Sequence, residues 1–194
     1  MSLGYWETLA SQIVDGPTLA VNNVQASAIN AGARYTMAPN RLKVGDILRI
    51  RAFGRLSTAV TTPGNSNWTL TAGVNNATAI FDTLPLLGNI VVQTTVPWWL
   101  EAEGIVRTIG PATACTIFWG GLVASTAFLN VAAVGTGPYA GVVPVPFNTA
   151  PVVGSGWDST SATILDFCFK NSAAATSSMI VHNYTLSLMS SSGF

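Results

Sequence analysis

Apolar and polar positions alternate along most of this chain. Between Val44 and Ser57, Leu48, Ile50, Ala52, Gly54 and Leu56 fall on one side of an extended segment, while Arg49, Arg51, Phe53 and Arg55 fall on the other. The alternation predicts an inward Leu48 face and an outward arginine face, because a one-residue slip would exchange the two. Val96 to Ile109 repeats the pattern, with Trp98, Leu100, Ala102, Gly104 and Val106 opposed to Trp99, Glu101, Glu103, Ile105 and Arg107. Two shorter strands, Trp68 to Val74 and Ala77 to Thr83, meet at Asn75-Asn76, where a tight turn suits a residue that tolerates positive φ. Further strands are expected over Ala114 to Ser125, Ser161 to Lys170, Met179 to Met189 and, at the N-terminal end, Leu9 to Val21. Only Trp6, Leu9, Ala10 and Ile13 carry a helical spacing.

These strands number about eight and are separated by turn signals, which predicts an all-β, single-domain, eight-stranded antiparallel jelly-roll sandwich spanning 1–194. Residues 1–8 are set apart as an N-terminal segment. Residues 135–156, with Pro138, Pro144, Pro146 and Pro151 among several glycines, are expected to form a long Pro/Gly-rich loop or arm rather than a central strand.

Composition narrows the function. The chain has 194 residues, 49% of them hydrophobic and only 8% charged, with 8 Lys+Arg against 8 Asp+Glu. A neutral chain lacks the basic surplus that draws a protein to nucleic acid or anionic lipid. The charge-free, apolar window from Ile117 to Val134 contains Gly120, Gly121, Ser125, Thr126 and Asn130 and has no flanking Lys/Arg anchors, so a membrane helix is not expected. Such a charge-poor β chain would expose apolar patches as a free monomer, and burial between identical subunits would cover them.

Candidate chemistry is sparse. Glu101 and Glu103 share a strand face, as glycosidase acids on alternate positions do, but Ile105 stands where a third acid would. They read as a solvated or salt-bridged face. His182, the single histidine, shares its strand with Ile180, Tyr184, Leu186 and Leu188 and is expected to be an interior residue. Cys115 and Cys168 are two isolated cysteines, which make neither a disulfide framework nor a four-ligand zinc site. Neither a metal nor a cofactor is expected, and Gly154-Ser155-Gly156 is too short for a nucleophile elbow.

The run Val44-Gly45-Asp46-Ile47-Leu48-Arg49-Ile50-Arg51-Ala52-Phe53-Gly54-Arg55-Leu56-Ser57-Thr58 resembles small virion structural proteins of tailed bacteriophages. The likeness extends through Thr61-Thr62-Pro63-Gly64, Trp68 to Val74, Val96-Pro97-Trp98-Trp99-Leu100-Glu101 and Tyr5 to Gln12. It covers residues 5 to 125. It implies a non-enzymatic jelly-roll protein of the particle, a capsid decoration or minor capsid protein. Such a protein trimerises, binds the major capsid protein or another virion protein, and is assembled in the host cytoplasm. The competing expectation is a tail-fibre or receptor-binding domain that recognises host-surface carbohydrate, with Trp98, Trp99 and Trp157 as the aromatic contacts.

Six of the eight basic residues lie between Arg34 and Arg55. In the jelly roll expected here, the Val44 and Val96 strands occupy opposite edges of one sheet, and Asp166 lies on a strand beside the first. Asp166 would then answer one arginine within the chain. Arg49, Arg51 and Arg55 are therefore expected at a subunit interface, paired with Glu101 and Glu103 of a neighbouring copy.

Overall fold

The structure, a computed structural model, describes residues 5–20, 23–58, 64–75, 77–88, 92–128, 141–147, 149, 153, 156–172 and 177–190. The strands are β1 (Trp6–Gln12), β2 (Ala26–Ser27), β3 (Tyr35–Met37), β4 (Ile47–Thr58), β5 (Asn65–Ala72), β6 (Thr78–Asp82), β7 (Leu86–Leu87), β8 (Gln93–Thr108), β9 (Thr116–Ser125), β10 (Val142–Val145), β11 (Thr163–Asn171) and β12 (Ser178–Met189). Short 3-10 turns cover Ala31–Ala33 and Thr126–Phe128.

Two antiparallel sheets face one another. The first runs β1-β12-β4-β8-β9-β10; the second runs β2-β11-β5-β6, with β3 also on β11 and β7 on β5. With β2–β3 and β6–β7 each taken as one interrupted strand, and β9 and β10 set aside, eight strands pass between the sheets in jelly-roll order. The described residues thus hold twelve strands rather than eight. The strands beyond the eight expected are the short β2, β3 and β7 and, on β9, β10, which closes the sheet edge. An edge strand accommodates Pro144 because its missing N–H can face the open side of the sheet, where no ladder bond is lost. Part of the expected 135–156 loop is therefore an edge strand, and residues 135–140, 148, 150–152 and 154–155 lie outside the described residues. At the N-terminal end the strand occupies Trp6–Gln12 instead of Leu9 to Val21, so residues 6–8 belong to the sheet. Asn75 has φ 58, as the expected turn requires; Asn76 lies outside the described residues.

The alternating patterns become the two faces of the sheets. Leu48, Ile50, Ala52 and Leu56 of β4 are buried, as are Trp98, Leu100, Ala102 and Val106 of β8. Trp68 lies at the centre of the core, with ring centroids 5.1 Å from Trp98, 5.1 Å from Phe169 and 5.5 Å from Phe128. Gly104 shows why small residues recur on these strands. A Cβ there would lie 2.4 Å from the Trp119 ring, which packs in turn against Phe81 at 5.1 Å.

His182 departs from the expected interior position because β12 carries a bulge. Val181 opposes Gly54 and Asn183 opposes Phe53, leaving His182 as the extra residue. The bulge presses on β4 so closely that a Cβ on Gly54 would sit 1.8 Å from the Ile180 carbonyl oxygen. Tyr184, Leu186 and Leu188 are buried, while His182 turns outward and its Nδ1 lies 2.7 Å from Asp15 Oδ1.

Candidate functional site

The two sheets treat their outer faces differently. On the second sheet, the outward side chains of β5 and β11 include Thr69, Thr71, Asp166 and Cys168, and all four are buried. The segment through Ser27 and Arg34 and the turn at Asn75 fold over them. Asp166 Oδ1 accepts from Ser27 Oγ at 2.6 Å and faces Arg34 Nε at 3.3 Å, and Asp166 Oδ2 accepts from the Asn75 amide at 3.0 Å. This network satisfies a carboxylate that has lost its water. Burial, with Asp166 beside it, pushes the Cys168 thiol up to about 12. Burial likewise raises the Cys115 thiol, and both cysteines are free. A thiol held protonated in this way is a poor nucleophile.

Among the described residues nothing covers the outer face of the first sheet. Arg49, Arg51 and Arg55 project from β4, and Glu101 and Glu103 from β8. The expectation that these strands occupy opposite edges is overturned: β4 and β8 are adjacent, with Arg49 opposite Glu103 and Arg51 opposite Glu101. Arg51 donates to Glu101 Oε1 from Nε at 3.0 Å and from Nη2 at 2.8 Å. Arg49 donates from Nε to Glu103 Oε1 at 2.6 Å, and its guanidinium lies 4.0 Å from the centroid of the Trp6 ring. The glutamates thus answer Arg49 and Arg51 within the chain. Arg55 stands opposite Pro97 and has no ion-pair partner among the described residues. Asp166 is likewise not beside β4; it lies in the other sheet and serves Arg34.

The three candidate tryptophans separate. Trp98 is 2% exposed and Trp157 4%, so both are core residues rather than surface contacts. Trp99, one residue from Trp98 and on the opposite face, is 47% exposed. Its ring lies nearly parallel to that of Phe53, at 12° and 5.7 Å between centroids. Phe53, Trp99, Ala124 and Val142 form one row across β4, β8, β9 and β10. That row lines a depression of about 450 Å³ with Gly54, Pro97 and Ser125. Leu122, opposite Glu101 and Pro144, extends the apolar surface into the next row. Phe53 was already placed outward by the alternation, whereas Leu122 and Val142 join the patch only through the pairing of β8 with β9 and β9 with β10.

The face can bury apolar surface, stack a flat group and meet further charges, and among its described residues no nucleophile stands beside a base. Among the described residues no group of three His, Cys, Asp or Glu side chains could hold a metal ion, and no helix is long and apolar enough to cross a membrane.

No family model matches the chain, and no curated protein does. Among solved structures it is similar to a lectin from Bauhinia forficata in complex with GalNAc, at 10% identity over 97% of this chain and 99% of that one, with a TM-score of 0.30. It is also similar to the CBM2 module of the evolved Dit of Lactobacillus casei BL23 phage J-1, at 8% identity over 98% and 99%, with a TM-score of 0.29. Likeness of that order decides no function for this chain.

Proposed function

We propose that this chain is a non-enzymatic structural protein of a phage particle, which assembles with copies of itself as a trimer and attaches to the capsid lattice. The observation that carries the reading is the apolar outer face of the first sheet, which no described residue covers. There Phe53, Trp99, Leu122 and Val142 are exposed together, on a chain with no net charge to hold copies apart. The resemblance of Val44 to Thr58 and Val96 to Glu101 to phage virion proteins supplies the particle and the capsid partner.

A second reading, a tail-fibre or receptor-binding domain that recognises host-surface carbohydrate, is favoured by one feature, the exposed Phe53 and Trp99 rings. Counting the chain on purified particles by quantitative mass spectrometry separates the two. Copy number matching the capsid lattice is the expected result; a handful of copies per particle would move the protein to the tail.

A further inference from the structure

Further along β11 from Asp166, three polar side chains meet on the outer face of the second sheet. Trp68 and Phe169 point into the core, so their chain neighbours Asn67 and Lys170 point outward. The register sets Lys170 of β11 directly opposite Asn67 of β5. On the other side of β5, β6 places Asp82 opposite Thr69 on the same face. The Asn67 amide is held at both ends. Its nitrogen donates to the Asp82 carboxyl, and its Oδ1 accepts from Thr83 Oγ1 at 2.8 Å, a shorter contact than the 3.1 Å from that hydroxyl to the Leu84 carbonyl oxygen. Thr83 is fixed in turn, because its Oγ1 accepts from the Trp68 amide at 3.0 Å and its own amide donates to the Trp68 carbonyl at 3.0 Å. Lys170 lies near enough for its charge to act on the Asp82 carboxyl. An amine, a primary amide and a carboxyl therefore stand together on three adjacent strands.

We propose that Lys170 and Asn67 join in an isopeptide bond that ties β11 to β5, with Asp82 relaying the protons and Thr83 polarising the amide. Lys170 gives a proton to Asp82, and the free amine attacks Asn67 Cγ. The Thr83 hydroxyl supports the amide oxygen as charge develops on it. The bond from Nζ to Cγ forms and the bond from Cγ to Nδ2 breaks. Nζ loses a second proton as the new amide is made. Asp82 relays both protons, one after the other, to Nδ2, which leaves as ammonium. The carboxyl ends as it began, and no oxidant, reductant or cofactor takes part. Burial favours the first step. Desolvation raises the Asp82 carboxyl against its hydrogen bonds and against the charge of Lys170, so the neutral acid and amine gain on the ion pair. Register favours the second, since cross-strand partners hold the reacting groups together as long as the sheet persists. The reaction runs once in each chain and needs neither a second copy nor a capsid, so its test stands apart from the reading above.

Intact-mass spectrometry of the full chain, followed by proteolysis and tandem fragmentation, tests this on wild type, Lys170→Arg, Asp82→Asn and Thr83→Val. Each is checked for native β content by circular dichroism and followed over time after folding. Wild type is expected to become lighter than its sequence by one ammonia, with a branched peptide that joins Lys170 to Asn67. Lys170→Arg keeps the charge beside Asp82 but replaces the amine, and it is expected to stay at full mass. Asp82→Asn and Thr83→Val are expected to form the bond at least tenfold more slowly than wild type. Wild type should also unfold at a higher temperature than Lys170→Arg. A folded wild type that keeps its full sequence mass overturns the proposal. So does an ammonia loss confined to the Asn67 peptide with Lys170 left free, which marks an asparagine that has cyclised on its own backbone. A branched peptide that forms as fast in Asp82→Asn as in wild type overturns the relay through Asp82.

Discussion

The outer faces of the two sheets carry charge and aromatic surface in opposite ways. On the second sheet the chain folds its own segments over the strands, and Asp166 ends fully buried among Ser27, Arg34 and Asn75. On the first sheet no such cover is present among the described residues, and Arg51 and Glu101 pair in the open beside Trp99. A buried carboxylate must be answered within the chain, because unpaired burial is prohibitive. An exposed pair remains solvated and can be shared with a neighbour at little expense. The covered face therefore serves the fold, and the bare one is available for contact.

The largest effect that sharpens this contrast lies in the core beneath the bare face. Trp98→Ala should lower stability by about 3–5 kcal/mol, because Trp98 packs against Trp68 at 5.1 Å. Denaturant unfolding measures it, and a loss below about 1 kcal/mol would remove Trp98 from the core. Next comes the covered face. Asp166→Ala should destabilise by about 2–3 kcal/mol, since it strands the Ser27 hydroxyl and the Asn75 amide and removes the partner of Arg34. If the variant unfolds at the wild-type denaturant midpoint, the network is not what holds those segments down.

The smallest effect is pH-dependent. Burial holds the Asp82 carboxyl above its usual 3.8, against the hydrogen bonds from Leu84 and Asn67 and the charge of Lys170. A carboxyl raised in the folded state contributes stability below the ordinary aspartate range, and that contribution is lost as pH rises through the raised value. With Lys170→Arg in both chains, so that neither is linked, Asp82→Asn should therefore be slightly more stable at neutral pH than the chain that keeps Asp82, and the gain should disappear in acid. Parallel unfolding curves that differ equally at every pH would show that Asp82 is not opposed by its own charge.

Much of the sandwich was legible in the residues alone. Period-two alternation depends only on the local pleat, so it placed Leu48, Ile50 and Leu56 inward, Arg49, Arg51 and Phe53 outward, and Trp98 opposite in sense to Trp99. Treating the adjacent tryptophans as a joint contact ignored that rule, and the burial of Trp98 corrects it. Strand neighbours are a different matter. The contact between Arg49 and Glu103 joins positions 54 apart, and nothing in either strand names its partner. Only the folded sheet decides that β4 lies beside β8, and with it that the arginine ladder is answered internally. The same holds for the bulge that turns His182 outward, which depends on the close approach of β12 to Gly54. It holds too for the burial of Asp166, which requires segments distant in the chain to fold over one strand. Face assignment was local and could be read from spacing; adjacency, cover and exposure arise from long-range packing, which spacing does not encode.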